Sequence, residues 1–380
     1  MEQIPVAIIG LGRIASLLED DKRREKPCTH AGAIAANSDC RLAAGVDIDE
    51  ERRRLFSERW NVPVYADAAA MLAEHSPAML VIATHPDSHA QYCRLAAAVD
   101  TSGAAHSIPV VICEKPLADT LRKARQIAAL TASKGGAPGV LKIVTNHERR
   151  YSEDYISARA VLAEGRLGKL LGVRGCLYMG RGRRLLDVLW HDGTHLADAI
   201  MFLTGSTLKH RRSWGARLTA HPAAAGKAGT AYLEGALEIP RDVGQVYENE
   251  AARREPQERL PLEKKLTGRR KGKAAQVPVL IEVGAGRDHL VFEMEFSCEQ
   301  GRLRIGNGVY EVWESGESPY AQGFRSLKRT GDVFEGPTGY FANMVRDAVA
   351  CVREPDRQPL SGAADGLRVI EYLNSVRPWR

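Results

Sequence analysis

The sequence predicts an α/β protein of two domains: a doubly wound parallel sheet, then a domain built on an antiparallel or mixed sheet. Three observations carry this. Short apolar runs alternate with helical patterns up to residue 146, with short connections between them. The first run, residues 5–9, passes directly into Gly10-Leu11-Gly12-Arg13-Ile14-Ala15, a spacing suited to a dinucleotide. Beyond residue 210 the helical pattern thins and alternating apolar and polar segments replace it.

A chain of 380 residues is long enough for two cores, and 44% hydrophobic with 26% charged residues is ordinary globular composition. The net charge of +6 is small for this length and gathered on no single arm, which argues against a nucleic-acid partner. The most basic stretch, residues 264–273, interleaves no aromatic residue and reads as a solvated loop. Seven scattered cysteines without a Cys-x-x-Cys pair read as reduced thiols, with neither a zinc site nor a disulfide frame. The opening MEQIPVAIIGLG lacks a basic leader, and no apolar run approaches the ~20 residues of a membrane span. The expected setting is soluble and cytoplasmic, with no membrane partner.

In chain order, Gly10 makes a tight turn, Gly12 lets backbone approach a pyrophosphate across Arg13 and Ile14, and small Ala15 permits close packing of a following helix. A strand over 42–46 ends at Asp47, placed to accept hydrogen bonds from an adenine ribose and to repel a 2′-phosphate. NAD is therefore the expected cofactor, while Arg52 to Arg54 lie close enough to keep NADP open. The glycine-to-acid separation exceeds the usual ~20 residues. The excess is the polar segment 19–30, read as a solvated loop inserted after the first helix. Helices over 50–59 and 68–74 flank a short strand over 62–65. A strand over 78–83 ends in Thr84-His85-Pro86-Asp87-Ser88-His89, where Asp87 or Ser88 caps a helix reaching residue 98. His89, in its first turn, reads as a packing or hydrogen-bonding residue. After a small-residue loop, 101–109, the apolar strand 110–113 runs into Glu114-Lys115-Pro116. The proline pushes Lys115 out of helical geometry, fixing its direction at the carboxyl end of a strand, where open α/β sheets bind ligands. Alone, such a tripeptide is more often a surface Lys. A helix over 118–133, closed by Lys134-Gly135-Gly136, and a strand over 141–146 complete the domain.

A helix over 152–164 and a strand over 170–179 open the second half. HDGTHLADAIMFLTG follows at 191–205, with His195, Ala199 and Phe202 on one helical face and Leu196, Ile200 and Leu203 beside it. His195 falls in the first turn, with Asp192 or Thr194 as cap. A lone helical His is usually a core residue, but His191, Asp192 and His195 put two imidazoles and a carboxylate together. No third ligand motif accompanies His191 and His195, so no metal is expected. Strands over 230–238, 279–283, 290–297, 301–305 and 309–314 follow, interrupted by a charged, non-periodic excursion at 240–278. Helices over 340–353 and 363–376 close the chain.

Taken in order, GLGRIA at 10–15, Asp47, Thr84 to His89, Glu114-Lys115-Pro116, and Gly193-Thr194-His195-Leu196-Ala197-Asp198 resemble the Gfo/Idh/MocA family of glucose–fructose oxidoreductase and inositol dehydrogenase. Gly301-Arg302-Leu303 and the closing helices also look like that family. The resemblance implies a Rossmann-like domain over 1–146 and a C-terminal domain over 147–380 on an open, mainly antiparallel sheet. The closing helices, about 340–380, would pack back toward the first domain, and the sheet would form a homodimer or homotetramer. It further implies hydride transfer between NAD(P) and a secondary alcohol or ketone of a sugar, polyol or derivative. His195 would be the general base and Lys115 would hold the same oxygen. His191 stands where the family often has Asp, so His191 or Asp192 would orient a neighbouring hydroxyl. Thr84, His85, His89 and Glu114 would join the cofactor site, and Asn146, His147 and Arg150 would meet substrate. The alternatives on this scaffold are an NAD-assisted glycoside hydrolase and a non-catalytic nucleotide-sensing regulator. A regulator's mark, a broken Glu-Lys-Pro or a missing His, is not present here.

Overall fold

The computed structural model describes residues 2–101, 108–132, 141–180, 182–215, 229–239 and 276–376. The expected cap at 134–136, the basic stretch 264–273 and residues 240–275 of the charged excursion lie outside the described residues. The chain forms two compact units: Met1–Ser152 with Pro337–Ile370, and Glu153–Gly336 with Glu371–Arg380. The first boundary thus falls after Ser152 instead of residue 146. The short 3-10 turn Glu148–Tyr151 explains the difference, because Arg150 and Tyr151 are buried and Tyr151 Oη donates to Asp347 Oδ2 at 3.2 Å within the first unit.

The first unit is a six-stranded parallel sheet of β1 (Ile4–Ile9), β2 (Cys40–Val46), β3 (Val64–Tyr65), β4 (Met79–Ile82), β5 (Val110–Cys113) and β6 (Lys142–Thr145), in the order β3-β2-β1-β4-β5-β6. Every residue of β4, β5 and β6 is buried, as a parallel sheet covered on both faces requires, and β4 and β5 accordingly read as unbroken apolar runs. Alternate residues serve opposite cores. Val6, Ile8, Val81 and Ile112 face one core with Phe341 and Met344, and Ala7, Ile9, Ile82 and Val111 face the other with Ile127.

Helices α1 (His30–Ala35), α2 (Glu50–Trp60), α3 (Ala68–Glu74), α4 (His89–Thr101) and α5 (Leu121–Leu130) complete the crossovers. Thr29, Asp49, Asp67 and Thr120 cap α1, α2, α3 and α5, each accepting an amide of the first turn. The last cap corrects the expected start of α5 from residue 118 to Leu121: Leu117 and Ala118 are buried in the core ahead of it.

The second unit carries α6 (Glu153–Ala163), β7 (Leu170–Gly180), the turn α7 (Leu185–Asp187) and α8 (Gly193–Thr204). It continues with β8 (Thr207–Gly215), β9 (Gly229–Glu238), β10 (Gln276–Arg287), β11 (Val291–Cys298), β12 (Gly301–Gly306), β13 (Val309–Glu317) and β14 (Arg325–Arg329). Its eight strands run β14-β13-β12-β11-β7-β10-β9-β8, antiparallel except for the β7–β10 pair. The sequence reading missed β8 and β14. Both are edge strands rich in Lys and Arg, the composition that discourages edge-to-edge pairing. One face presents Val173, Ile281, Met294 and Ile305. On the other, cross-strand partners alternate in sign: Arg174 opposite Glu295, Glu295 opposite Arg304, Arg304 opposite Glu311.

The remaining helices, α9 (Tyr340–Arg353) and α10 (Ala363–Ser375), are where periodicity placed them. Among the described residues no helix is long and apolar enough to cross a membrane.

Helix α8 rests on β7 at Gly175, where an added Cβ would stand 3.0 Å from Leu196 Cδ2 and 3.4 Å from Ile281 Cγ1. Gly175→Val should therefore overpack this contact and lower stability by about 1–3 kcal/mol, read by urea denaturation. Unchanged stability would mean the helix can be displaced at no cost.

Candidate active site

The glycine loop is built as its residue types require. Gly10 has φ +90°, and a Cβ there would stand 2.8 Å from the carbonyl carbon and oxygen of Ala83, so only glycine fits. A Cβ on Gly12 would meet only Arg52 Nη1, at 3.8 Å, so that face of the loop is open. Leu11 N donates to Asp47 Oδ2 at 2.8 Å and Asp49 N to Asp47 Oδ1 at 2.9 Å, tying the end of β2 to the loop. Arg52 Nη1 stands 3.7 Å from Asp47 Oδ2.

The helix expected straight after the loop does not form. The chain turns instead, with Ser16 N donating to Gly12 O at 3.1 Å and Leu18 N to Arg13 O at 2.9 Å, then passes through a 3-10 turn, Leu17–Asp20. The polar insertion thus precedes the first helix instead of following it. Glu19 explains why α1 starts so late, since its Oε2 accepts Thr29 Oγ1 at 2.5 Å and Cys28 N at 3.3 Å at the start of that helix.

Helix α1 hangs from the loop by two backbone bonds, His30 N to Ile14 O at 3.1 Å and Ala31 N to Ala15 O at 2.9 Å. The amides of Gly12, Arg13, Ile14 and Ala15 have no hydrogen-bond partner among the described residues. Four unspent N–H groups beside an open glycine face make a concavity for an anion. These residues fit the pyrophosphate of a dinucleotide.

At the ends of the central strands, several candidate side chains prove to be occupied inside the first unit. His89 is fully buried, with Nδ1 3.2 Å from Leu117 O and Nε2 3.1 Å from Thr84 O. Burial pushes this imidazole below its ordinary pKa, against the hydrogen bonds of Thr84 and Leu117 that favour its charge. It clamps two loops together. Thr84 Oγ1 pairs with Ser88 Oγ at 2.7 Å, while His85 is exposed.

Glu114 is also turned inward. Its Oε1 receives His30 Nε2 at 2.8 Å and Asn146 Nδ2 at 2.5 Å, and its Oε2 receives Lys115 N at 3.2 Å. Burial raises this carboxyl, but the hydrogen bond and charge of His30, the Asn146 bond and the Lys115 charge outweigh it and hold Glu114 below the usual carboxylate range. Lys115 itself is partly exposed at the end of β5.

The expected substrate contacts have partners within the first unit. Asn146 holds Glu114, and His147 Nδ1 lies 3.1 Å from Ser361 Oγ. Arg150 Nη1 donates to Leu360 O at 3.2 Å and pairs with Asp365 Oδ1 at 3.1 Å. All three are buried.

In the second unit, a π-helical turn, Val188–Asp192, leads into α8, a rare wide turn that recurs at functional sites. Every residue of α8 is buried except His195, an exception expected of a working side chain more than of a core histidine. His191 is exposed, with Nδ1 3.5 Å from Asp192 Oδ1. Neither expected cap operates: Asp192 makes no side-chain cap bond, and Thr194 Oγ1 turns back to donate to His191 O at 2.8 Å. Asp192 Oδ2 is buried with no hydrogen-bond partner among the described residues. Among the described residues, no group of three or more His, Cys, Asp or Glu side chains is placed to hold a metal ion. Sequence reasoning missed His30, whose only signal was its place at the end of the polar insertion.

Residues 4–140 match the model of the Gfo/Idh/MocA oxidoreductase family, NAD-binding Rossmann fold. That match lies within the first unit, on the six-stranded parallel sheet. The chain is 27% identical over 124 residues to the uncharacterised oxidoreductase YhhX of Escherichia coli, covering 33% of this chain and 31% of that protein. It is 27% identical over 176 residues to the D-apiose dehydrogenase of Rhizobium rhizogenes, covering 43% and 47%. These matches thus span about a third to a half of the curated relatives' length. Over nearly the whole chain the fold is that of myo-inositol 2-dehydrogenase from Lactobacillus plantarum, with TM-score 0.62, 17% identity, and coverage of 98% and 96%.

Gly10→Ala should weaken NAD binding by about tenfold or more, because strain of 1–3 kcal/mol is placed on the loop that must hold the pyrophosphate. Titration calorimetry reads this, and unchanged affinity would detach the loop from cofactor binding. A second expectation follows from Glu114, whose folded pKa lies below the 4.5 of an unperturbed glutamate. Its contribution to stability is full above that value and is lost as pH falls through the depressed one. The stability difference between wild type and Glu114→Gln should therefore shrink at acid pH in urea unfolding series. A difference that grew on acidification would contradict the assignment.

Proposed function

We propose that the protein is an NAD-dependent oxidoreductase that interconverts a secondary alcohol and a ketone on a sugar, polyol or related small molecule. The observation that carries this reading is the shared edge of the parallel sheet. The unpartnered amides after β1, Asp47 after β2 and Lys115 after β5 all lie at carboxyl ends of strands, where such sheets bind nucleotides. The names of the relatives, which include a D-apiose dehydrogenase, support the substrate class.

In this reading, bound NAD supplies the electron-pair acceptor at its nicotinamide ring. The amides of residues 12–15 hold the pyrophosphate, and Asp47 receives a ribose hydroxyl while opposing a 2′-phosphate. Lys115 donates a hydrogen bond to the reacting oxygen and stabilises the charge that develops when its proton leaves. His195 takes that proton, a contribution of the order of 10²–10⁴-fold. Asp192, with its free buried oxygen, or the adjacent His191 orients a neighbouring hydroxyl.

The test is NADH formation by the purified protein over a panel of polyols, sugars and sugar acids, with Lys115→Met and His195→Asn run alongside. A substrate oxidised by wild type should be turned over ~10²-fold or more slowly by each variant, with NAD binding preserved. Wild-type turnover in Lys115→Met would remove Lys115 from the mechanism.

A further inference from the structure

Four contacts within the first unit form a continuous path from the glycine loop to Lys115. Ile14 O and Ala15 O, whose residues supply two of the unspent amides, receive the first amides of α1, at His30 and Ala31. The His30 ring, fully buried, packs edge-on against Phe341 with centroids 5.1 Å apart and planes at 89°, which leaves its Nε2 directed at Glu114 Oε1, 2.8 Å away. Asn146 Nδ2 shares that oxygen, and the other oxygen of Glu114 receives the amide of Lys115. The backbone on both sides is also fixed, by Glu114 N on Ile82 O at 2.9 Å and by the His89 clamp on Leu117 O.

We propose that His30 is a positioning residue: by holding the Glu114 carboxylate it fixes the backbone at Lys115 and keeps a negative charge behind the lysine ammonium, and it does so from the helix suspended on the dinucleotide loop. This rests on the reading of Lys115 given above and deepens it. A carboxylate buried to this extent keeps its charge only while donors meet it. Without the imidazole donor it takes up a proton or swings away, and in either case Lys115 loses both its anchor and the charge that favours its ammonium form. The ionisable groups facing Glu114 are His30, Lys115, His89 and the thiol of Cys113, and each is included when the proton affinity of Lys115 is measured. The arrangement also accounts for an otherwise unexplained expense, a histidine and a glutamate both taken out of water beside the partly exposed Lys115.

The experiment needs no substrate. In the full-length protein, the pH dependence of Lys115 reductive methylation, read by mass spectrometry, gives the midpoint of that amine directly. Glu114→Gln and His30→Leu should each lower the midpoint by about half a unit or more, since both remove the charge behind the ammonium. His30→Gln, which keeps an N–H donor at nearly the same reach, should restore most of the wild-type midpoint. Thermal denaturation and NAD titration certify that each variant is folded and retains its loop. Midpoints that agree in wild type and all three folded variants would overturn the proposal. If His30→Leu does not fold, the Glu114→Gln and His30→Gln midpoints still decide it. Should the midpoints move as expected while Lys115→Met turns over substrate normally, the His30 arrangement stands and the catalytic reading of Lys115 fails. The reverse result sinks the His30 proposal and spares that reading.

Discussion

A carboxylate withdrawn from water must be met by donors, and at Glu114 that requirement organises the first unit. One donor comes from α1, one from the end of β6 and one from the following peptide. The segments that supply them are the glycine-loop crossover, the last parallel strand and the residue that carries the candidate amine. None can shift without leaving a buried charge unmet, at a cost of several kcal/mol. The parallel order of the sheet is what brings them together: β1 lies two places from β5, and β6 is its neighbour. The fold puts the polar ends of these strands on one edge, and Glu114 locks the edge.

Residues near that lock that read as direct contacts also have partners inside the protein. Short polar side chains at strand ends can serve a ligand or serve one another, and the sequence pattern is the same in both cases. His89, Asn146, His147 and Arg150 each make side-chain hydrogen bonds inside the first unit, while Asn146 Oδ1 has no partner among the described residues. In the second unit the same division is sharper, since α8 is buried along its length and offers a single imidazole.

Much of this was legible in the amino-acid order because the relevant forces are local. Strands β4 and β5 declare themselves as unbroken apolar runs, and Gly10 and Gly12 mark the tight loop that follows the first strand. What escaped depended on partners distant in sequence. The Glu19 carboxylate delays α1 through a contact ten residues on, so the glycine loop turns where its pattern promised a helix. His30 meets a carboxylate 84 positions away. The edge strands β8 and β14 carry Lys and Arg to protect an edge, which erases the alternation that would reveal them. The π turn before α8 has no periodic signature at all.

The most direct test of this account is a crystal structure of the protein with NAD bound. The account predicts phosphate oxygens within hydrogen-bond distance of the amides of Gly12 to Ala15, a ribose hydroxyl on Asp47, and the His30–Glu114–Asn146 contacts unchanged beside Lys115. A nucleotide seated away from the ends of β1 and β2, or a Glu114 carboxylate turned out to meet it, would contradict the account.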